Sequence, residues 1–362
     1  MEIGSTNADP GEIDRGWLQV TDLPTGGEER IPIVVVRGVS DGPCLWVTGG
    51  VHGDEATGIA AAQAIVSDQY ASEELADRLS GTLVSAPVVS PAGLRRNTRK
   101  TYYREDDPNR HFPDPTADQS QPPEIQERVD RRIYETITST ADGLIDLHTA
   151  GVGSVPFSIR DRVLYGDRRT ESEAQVLAAE LETMLEAFGF PVVNEYPAEE
   201  YLDESLHRST AGAVLNGAGI PAFTAELGGH SVVDDRLLDG AIAGIYAVME
   251  SFGMIESVPD AIGSPDEFVP DSPVEYPVRR ARHPRVERAG IVKHRVDPGA
   301  VVETDDPIGD LCSPHGETIE TITADHDGYV IGRREGIAVY EGDSIATMAL
   351  RDEGDLVVER EA

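Results

Sequence analysis

Short apolar runs alternate with longer amphipathic stretches between residues 31 and 254 of the chain. Short runs bounded by Gly or Pro are typical of buried strands, and amphipathic stretches with a period near 3.6 are typical of helices. The pattern predicts strands at 31–37, 44–48, 82–89, 144–148, 191–194 and 222–226. It predicts helices at 54–67, 72–79, 124–138, 171–188, 206–217 and 234–251. This alternation predicts an α/β fold in which helices flank a mixed, largely parallel sheet.

The pattern changes after residue 255. Residues 256–284 are rich in Pro, Asp and Ser, which is typical of a linker. Residues 285–362 contain short β-type runs separated by Pro-Gly, Asp-Gly and Gly-Asp turn signals, and they lack a helical period. We therefore predict an α/β domain over residues 1–255, a linker over 256–284 and a small all-β domain over 285–362.

Three of the predicted strands end at residues that can bind a metal ion. His52 and Glu55 follow the strand at 44–48, His148 closes the strand at 144–148, and Glu226 closes the strand at 222–226. The carboxyl ends of parallel strands meet at one edge of a sheet, where ligands bind. Two His and one carboxylate with an open fourth position make up a catalytic zinc site, and a further carboxylate could serve as general base. The alternative is a structural loop histidine beside acids that favour a helix N-terminus.

The charge of the chain is strongly one-sided. Its 362 residues include 66 acidic and 30 basic side chains, for a net charge of −36, and only Lys100 and Lys293 are lysines. An acid-rich, lysine-poor surface is typical of proteins from salt-loving organisms, because concentrated salt screens the self-repulsion. We therefore expect a halophilic origin, and we expect neither nucleic acid nor an anionic membrane as a partner. The sequence leaves homo-oligomerisation open.

The cysteines and the N-terminus indicate the compartment. Cys44 and Cys312 lie far apart in the sequence and do not indicate a disulfide framework. The first residues lack the basic and apolar segments of a signal peptide, and no apolar run has membrane-spanning length. These features predict a soluble cytoplasmic protein.

A long irregular stretch at residues 90–121 departs from the acidic balance. It contains a group of cations, Arg95, Arg96, Arg99, Lys100, Arg104 and Arg110. Long loops inside a compact domain are usually functional or disordered. One interpretation is that the cations neutralise neighbouring acids. The other is a cationic pocket for a substrate carboxylate, which arginine binds in a bidentate manner. A second basic run, from Arg279 to Arg288, is expected to hold the C-terminal region against the acidic body.

Four motifs resemble the succinylglutamate desuccinylase/aspartoacylase family, a branch of the zinc carboxypeptidase-like hydrolases. They are His52-Gly53-Asp54-Glu55, Asp107-Pro108-Asn109-Arg110, Asp146-Leu147-His148 and Ala225-Glu226-Leu227-Gly228. The resemblance implies one zinc ion per chain, bound by His52, Glu55 and His148. It also implies that Glu226 is the general base and that Asn109 and Arg110 hold a carboxylate of the substrate.

The same resemblance covers two further features. An arginine before the Asn-Arg pair would polarise the scissile carbonyl; Arg99 has the expected local sequence, while Arg96 and Arg104 are close alternatives. The C-terminal region is similar to the biotinyl/lipoyl-type barrels that these deacylases carry. A carrier module would need a lysine at an exposed hairpin tip, and Lys293 is the only lysine of that region.

The sequence therefore predicts a zinc-dependent deacylase that hydrolyses the amide bond of an N-acyl amino acid or a similar small carboxylate-bearing substrate. Arg99 and Glu226 would be its catalytic residues, and a metal-activated water would be its nucleophile. Two alternatives remain open at this point: a zinc metallocarboxypeptidase that acts on peptides, and a zinc-binding protein without enzymatic activity.

Overall fold

The structure, a computed structural model, describes residues 1–71, 73–114, 123–166, 168–229 and 231–360. The strands are β1 Glu2–Ile3, β2 Thr6–Asn7, β3 Ile13–Asp22, β4 Glu28–Arg37, β5 Ser40–Gly49, β6 Ser80–Ala86, β7 Gly143–Ala150, β8 Phe157–Arg160, β9 Val163–Tyr165, β10 Val192–Asn194, β11 Ala222–Gly229, β12 Val278–Arg282, β13 Gly290–His294, β14 Val301–Val302, β15 Pro307–Cys312, β16 Thr318–Thr323, β17 Gly328–Arg333, β18 Ala338–Val339, β19 Ala346–Arg351 and β20 Val357–Glu359. The α-helices are α1 Ala56–Ala64, α2 Glu73–Arg78, α3 Pro91–Leu94, α4 Ile125–Thr138, α5 Glu171–Phe188, α6 Ala198–Asp203, α7 Thr210–Ala213 and α8 Asp235–Ser251. Short 3-10 turns cover Pro108–Arg110, Leu206–Arg208 and Pro265–Glu267, and a π-helical turn covers Val214–Ala218.

One mixed sheet of twelve strands organises the molecule, in the order β14-β17-β19-β12-β10-β8-β11-β7-β5-β6-β4-β3. The run β11-β7-β5-β6 is parallel, and β8 joins it in antiparallel orientation beside β11. Leu45, Trp46 and Val47 of β5 are fully buried, as expected for a central strand covered on both faces. The predicted α/β fold with a mixed sheet flanked by helices is confirmed.

The register of the central strands brings the candidate residues to one edge of the sheet. Glu226 of β11 lies opposite His148 of β7, and Asp146 of β7 lies opposite Thr48 of β5. His52 and Glu55 follow directly after β5 and precede α1. Because these strands are parallel, their carboxyl ends meet at one edge. The local sequence places these residues at strand ends, and the parallel pairing of the strands brings those ends together.

One predicted helix differs from the structure. Residues 206–217 were expected to form a single helix, but they form a 3-10 turn, α7 and a π-helical turn in succession. The break falls at Ser209, whose backbone is extended and whose hydroxyl accepts a hydrogen bond from the Gly212 backbone N–H. Serine favours this N-cap position because its side chain satisfies an orphan backbone donor. The cap starts a new helix where apolar periodicity alone suggested a continuous one.

Parts of two predictions lie outside the described residues. The helix predicted at 72–79 corresponds to α2, but its first position, Ser72, is not described. In the irregular stretch at 90–121, the described part contains the short helix α3 and the 3-10 turn Pro108–Arg110, and residues 115–121 are not described. Within the described ranges, no helix is both long and apolar enough to cross a membrane.

The C-terminal region consists of strands, and its predicted all-β character is confirmed. β13, β15, β16 and β18 form an antiparallel sheet, whereas β14, β17 and β19 extend the twelve-stranded sheet. The connection between the two regions is β12, which pairs with β19 on one side and with β10 on the other. β20 returns to the α/β region and pairs with β9. The domain limits at 255 and 284 stay a prediction.

Candidate active site

His52, Glu55 and His148 lie together as a buried group, which we call the metal corner. One ligand atom from each lies within 4.8 Å of the others. Nδ1 of His52 is 2.6 Å from Oε1 of Glu55, and Nδ1 of His148 is 2.7 Å from Oε2 of the same carboxylate. Both imidazoles thus turn the same ring nitrogen toward Glu55. Two imidazole nitrogens and one carboxylate are the protein ligands of many catalytic zinc sites.

Glycines shape the loop that carries His52 and Glu55. Gly50 has a positive φ of 63°, which permits the sharp turn after β5. A Cβ at Gly53 would lie 1.9 Å from the carbonyl carbon of Gly93 in α3, so this position requires glycine. The loop is therefore tightly packed against α3, and it delivers Glu55 at the start of α1.

Each histidine of the metal corner is held from behind by a carboxylate. Nε2 of His148 is 2.8 Å from Asp146, which also accepts a 2.6 Å hydrogen bond from the Thr48 hydroxyl. Nε2 of His52 is 2.8 Å from Asp107. A carboxylate behind a ligating histidine fixes its tautomer and orientation, so that the other nitrogen presents a lone pair to the metal.

Sequence reasoning did not assign Asp146 and Asp107 to the site. A signal for Asp146 was present, since residues two apart in a strand share one face and Asp146 precedes His148 by two in β7. Asp107 is 55 residues from His52, and no local pattern links them.

Two carboxylates at the metal corner, Glu55 and Asp107, are held in the anionic form. Burial opposes ionisation of Glu55, but the adjacent rings of His52 and His148 outweigh it and hold the pKa of this carboxyl below its usual range. Burial also opposes ionisation of Asp107, but His52 and Arg99 lower its pKa. The corner thus has two anionic carboxylates, one facing the histidines from the front and one from behind.

Glu226 lies beside this corner and differs from Glu55. It is buried, and its Oε2 atom has no hydrogen-bond partner among the described residues. Burial and the nearby charge of Glu55 raise its pKa. A carboxyl group with a free oxygen and a raised pKa is suited to accept and release a proton.

Of the three candidate arginines, the structure places Arg99 at the metal corner. Its Nη1 is 3.3 Å from Oε1 of Glu55, and its Nη2 is 2.7 Å from Oδ2 of Asp107. Arg104 instead pairs with Asp106 and with Glu127 of α4. Arg96 is exposed on the surface.

Asn109, Arg110 and Asp161 line the same cavity as the metal corner, and we call these three residues the amino-acid end. The Asn109 side-chain oxygen accepts hydrogen bonds from the backbone N–H and the hydroxyl of Thr210, at 2.8 and 3.0 Å, at the start of α7. Arg110 donates to the Asn109 carbonyl at 2.7 Å. The inner cavity has a volume of about 50 Å³. It continues into an outer cleft of about 370 Å³, and Arg99, Glu226 and Arg280 line both.

Arg280 reaches the cavity from β12, in the basic run that was expected to bind the acidic body. It pairs with both oxygens of Glu195, at 2.9 and 2.6 Å, and its guanidinium lies 5.0 Å from the ring of Tyr196. Arg282 of β12 and Arg333 of the C-terminal region line the outer cleft as well. The C-terminal region therefore forms one wall of the entrance. Arg280, Glu195 and Asp161 were not assigned to the site from the sequence, because only nonlocal pairing brings them there.

Known proteins resemble the chain in sequence and in fold. The model of the succinylglutamate desuccinylase/aspartoacylase catalytic domain matches residues 41–252. An N-alpha-acetyl-L-2,4-diaminobutyric acid deacetylase of Halomonas elongata is 25% identical over 350 residues, which cover 93% of this chain and 91% of that protein.

Solved structures share the fold over nearly the whole chain. A succinylglutamate desuccinylase/aspartoacylase from Rhodobacter sphaeroides has a TM-score of 0.70 at 23% identity, covering 96% of this chain and 99% of that one. The product-bound ectoine utilization protein EutE (DoeB) from Ruegeria pomeroyi has a TM-score of 0.72 at 20% identity, covering 96% of this chain and 97% of that one.

The family match spans more than half of the chain, and it includes both the metal corner and the amino-acid end. The proteins of this family are deacylases that act on N-acyl amino acids. The resemblance expected from the four motifs is confirmed: the chain belongs to the succinylglutamate desuccinylase/aspartoacylase family and is an amidohydrolase of that type.

Proposed function

We propose that the chain is a zinc-dependent deacylase that hydrolyses the amide bond of small N-acyl amino acids. The observation that carries this proposal is the metal corner, in which both histidines direct Nδ1 toward Glu55 while carboxylates hold Nε2. This donor set fits zinc, with His52, Glu55 and His148 as the ligands of one ion. Bound there, zinc would supply Lewis-acid activation of a water molecule and of the substrate carbonyl.

Glu226 would move the proton of the reaction. Its buried Oε2 is free to accept a proton from the water that attacks the carbonyl carbon. The C–N bond then breaks, and Glu226 returns the proton to the leaving nitrogen. The acyl group leaves as a carboxylic acid and the other half as an amino acid, so that one water is consumed for each amide hydrolysed.

The arginines of the cavity would orient the substrate. Arg99, fixed by Asp107, is placed to donate hydrogen bonds to the carbonyl oxygen as negative charge develops there. At the amino-acid end, Arg110 and Asn109 would bind the substrate carboxylate, which keeps the amide in line with the attacking water.

The enclosure of the site favours small substrates over peptides, because the C-terminal region forms one wall of the outer cleft. A metallocarboxypeptidase would need room for several residues of a peptide. The relative from Halomonas elongata is named for deacetylation of N-alpha-acetyl-L-2,4-diaminobutyric acid, so N-acetyl amino acids are the first compounds to assay.

The test combines metal content with activity. Wild-type protein is expected to bind about one zinc ion per chain and to hydrolyse at least one compound in a panel of N-acetyl amino acids. His52→Ala and His148→Ala are expected to lose both the zinc and the activity. His315→Ala, at an exposed position outside the site, serves as the matched control and should keep both. Wild-type zinc content in both site variants, or activity confined to peptides, would contradict the proposal.

A further inference from the structure

The amino-acid end of the cavity contains two opposite charges, and neither forms an ion pair with a described residue. Arg110 and Asp161 both line the inner cavity. Within the described ranges, no carboxylate forms an ion pair with Arg110, and no Lys or Arg forms one with Asp161. Unpaired charges in a buried site are costly in free energy, so each of them is a candidate to meet a charged group of the ligand.

Among the described residues, Asp161 has no ion-pair partner although arginines flank it in the sequence. It follows directly after β8 and is 3% exposed. Arg160 pairs with Glu182 and donates to Asn194, and Arg162 pairs with Asp352 at 3.0 Å. Both flanking cations are thus engaged elsewhere, while the Tyr201 hydroxyl approaches the Asp161 carboxyl.

The neighbouring carboxylate, Glu195, is in the opposite situation. It is buried to the same degree as Asp161, but Arg280 neutralises it with a bidentate pair. Burial, with the added charge of Glu195, raises the pKa of Asp161 to about 7. A cation placed beside Asp161 would remove this penalty and stabilise its ionised form.

Arg110 has the complementary need for an anion. Burial and the nearby Arg280 and Arg99 outweigh the attraction of Asp107 and lower the pKa of this guanidinium. A substrate carboxylate at Arg110 would relieve the repulsion. The ligand that fits both residues therefore carries one carboxylate and one ammonium group.

In an N-acyl amino acid the α-nitrogen is an amide and carries no charge, so the ammonium group must lie in the side chain. We propose that Asp161 is a specificity-determining residue that selects N-acyl amino acids with a cationic, amine-bearing side chain. Pairing with a buried carboxylate discriminates strongly against neutral side chains, since an unmatched substrate leaves the charge without a partner. This inference rests on the proposed deacylase function.

The test compares two substrates of nearly equal shape. The side chain of Nα-acetyl-L-2,4-diaminobutyrate ends in an ammonium group, and that of Nα-acetyl-L-norvaline ends in a methyl group. For the zinc-loaded wild type, we expect kcat/KM to be at least about a hundredfold higher for the cationic compound. In Asp161→Asn, kcat/KM should fall at least about tenfold for the cationic compound. For Nα-acetyl-L-norvaline it should change by less than about threefold.

Asp130→Asn is the matched control. Asp130 is also a buried carboxylate, but it lies in α4 next to Gln126 and outside the cavity. The Asp130→Asn variant should leave the kcat/KM ratio of the two substrates unchanged. Equal losses on both substrates in Asp161→Asn would overturn the proposal, because a structural role through Tyr201 or a role at the leaving nitrogen does not depend on the side-chain charge.

Calorimetry separates this inference from the deacylase proposal. If neither compound is hydrolysed, the deacylase function fails for this class, but binding of free L-2,4-diaminobutyrate and L-norvaline still tests Asp161. Tighter binding of the diamine by at least about tenfold, lost in Asp161→Asn, supports the inference; equal binding overturns it. If Asp161→Asn does not fold, the wild-type substrate ratio decides, and a ratio below about ten overturns the inference.

Discussion

The metal corner and the amino-acid end lie in the same small cavity, but their charges are arranged differently. In the metal corner, His52 and His148 each contact one carboxylate in front and another behind. At the amino-acid end, Arg110 and Asp161 are close to other charges but make no ion pair within the described ranges. Fully partnered groups are rigid before a ligand arrives, whereas unpaired groups gain most when one binds. The first arrangement suits a resident cofactor and the second suits a substrate that comes and goes.

Glu226 lines the same cavity as both groups, and its replacement should have the largest effect. Glu226→Gln removes the proposed proton acceptor but retains the shape of the side chain and leaves the proposed zinc ligands unchanged. We expect kcat to fall by at least about a thousandfold while zinc content stays unchanged. Glu287→Gln, at an exposed position, should be silent. If the Glu226 variant kept more than about a tenth of wild-type kcat, another group would have to be the base.

The carboxylates that contact Nε2 of the two histidines should affect metal affinity and leave substrate preference unchanged. Asp146→Asn removes the anion that orients His148 through Nε2. We expect zinc affinity to fall by about 10- to 100-fold in chelator competition, with the ratio of cationic to neutral substrates unchanged. An unchanged zinc affinity would mean that the metal corner does not depend on its outer carboxylates.

Arg110 should show the opposite behaviour, affecting the substrate and not the metal. Arg110→Lys keeps the charge but not the planar fork that binds both carboxylate oxygens. We expect kcat/KM to fall at least about tenfold for a carboxylate-bearing substrate and much less for its neutral amide analogue. Equal losses in kcat/KM for the two compounds would show that Arg110 stabilises the loop and does not bind the substrate carboxylate.

The smallest expected effect concerns pH. The pKa of Asp161 is raised to about 7, so its carboxyl is ionised above this pH and protonated below it. The kcat/KM ratio of the cationic to the neutral substrate should therefore fall about fourfold from about pH 8 to about pH 6.5. Using the ratio cancels titrations that both substrates share, including that of Glu226.

The groups that face Asp161 are Glu195, Arg280, Arg110 and the Tyr201 hydroxyl. Among them Glu195 is paired, and the arginines stay charged across this pH range. The fall should therefore disappear in Asp161→Asn. If this kcat/KM ratio does not change with pH in the wild type, no titrating carboxylate contacts the side chain of the substrate.

Much of the fold and of the metal corner could be predicted from local signals. The apolar runs ending at His52, His148 and Glu226 gave both the strands and the residues at their carboxyl ends, because strand periodicity and glycine turns are local properties. The break at Ser209 was missed because a serine cap competes with helical periodicity, and the sequence does not show which one prevails.

The sequence by itself determined which side chains stand at the edge of the sheet, and that the last part of the chain consists of strands. The tertiary structure alone decided how the charges are paired. Asp107 reaches His52 across 55 positions, and Arg280 enters the cavity from β12 to pair with Glu195. Within the described part of the chain, Asp161 makes no ion pair, because Arg160 and Arg162 pair with Glu182 and Asp352. Ion pairs depend on distances of a few ångströms between distant segments, and only the packing of those segments sets such distances.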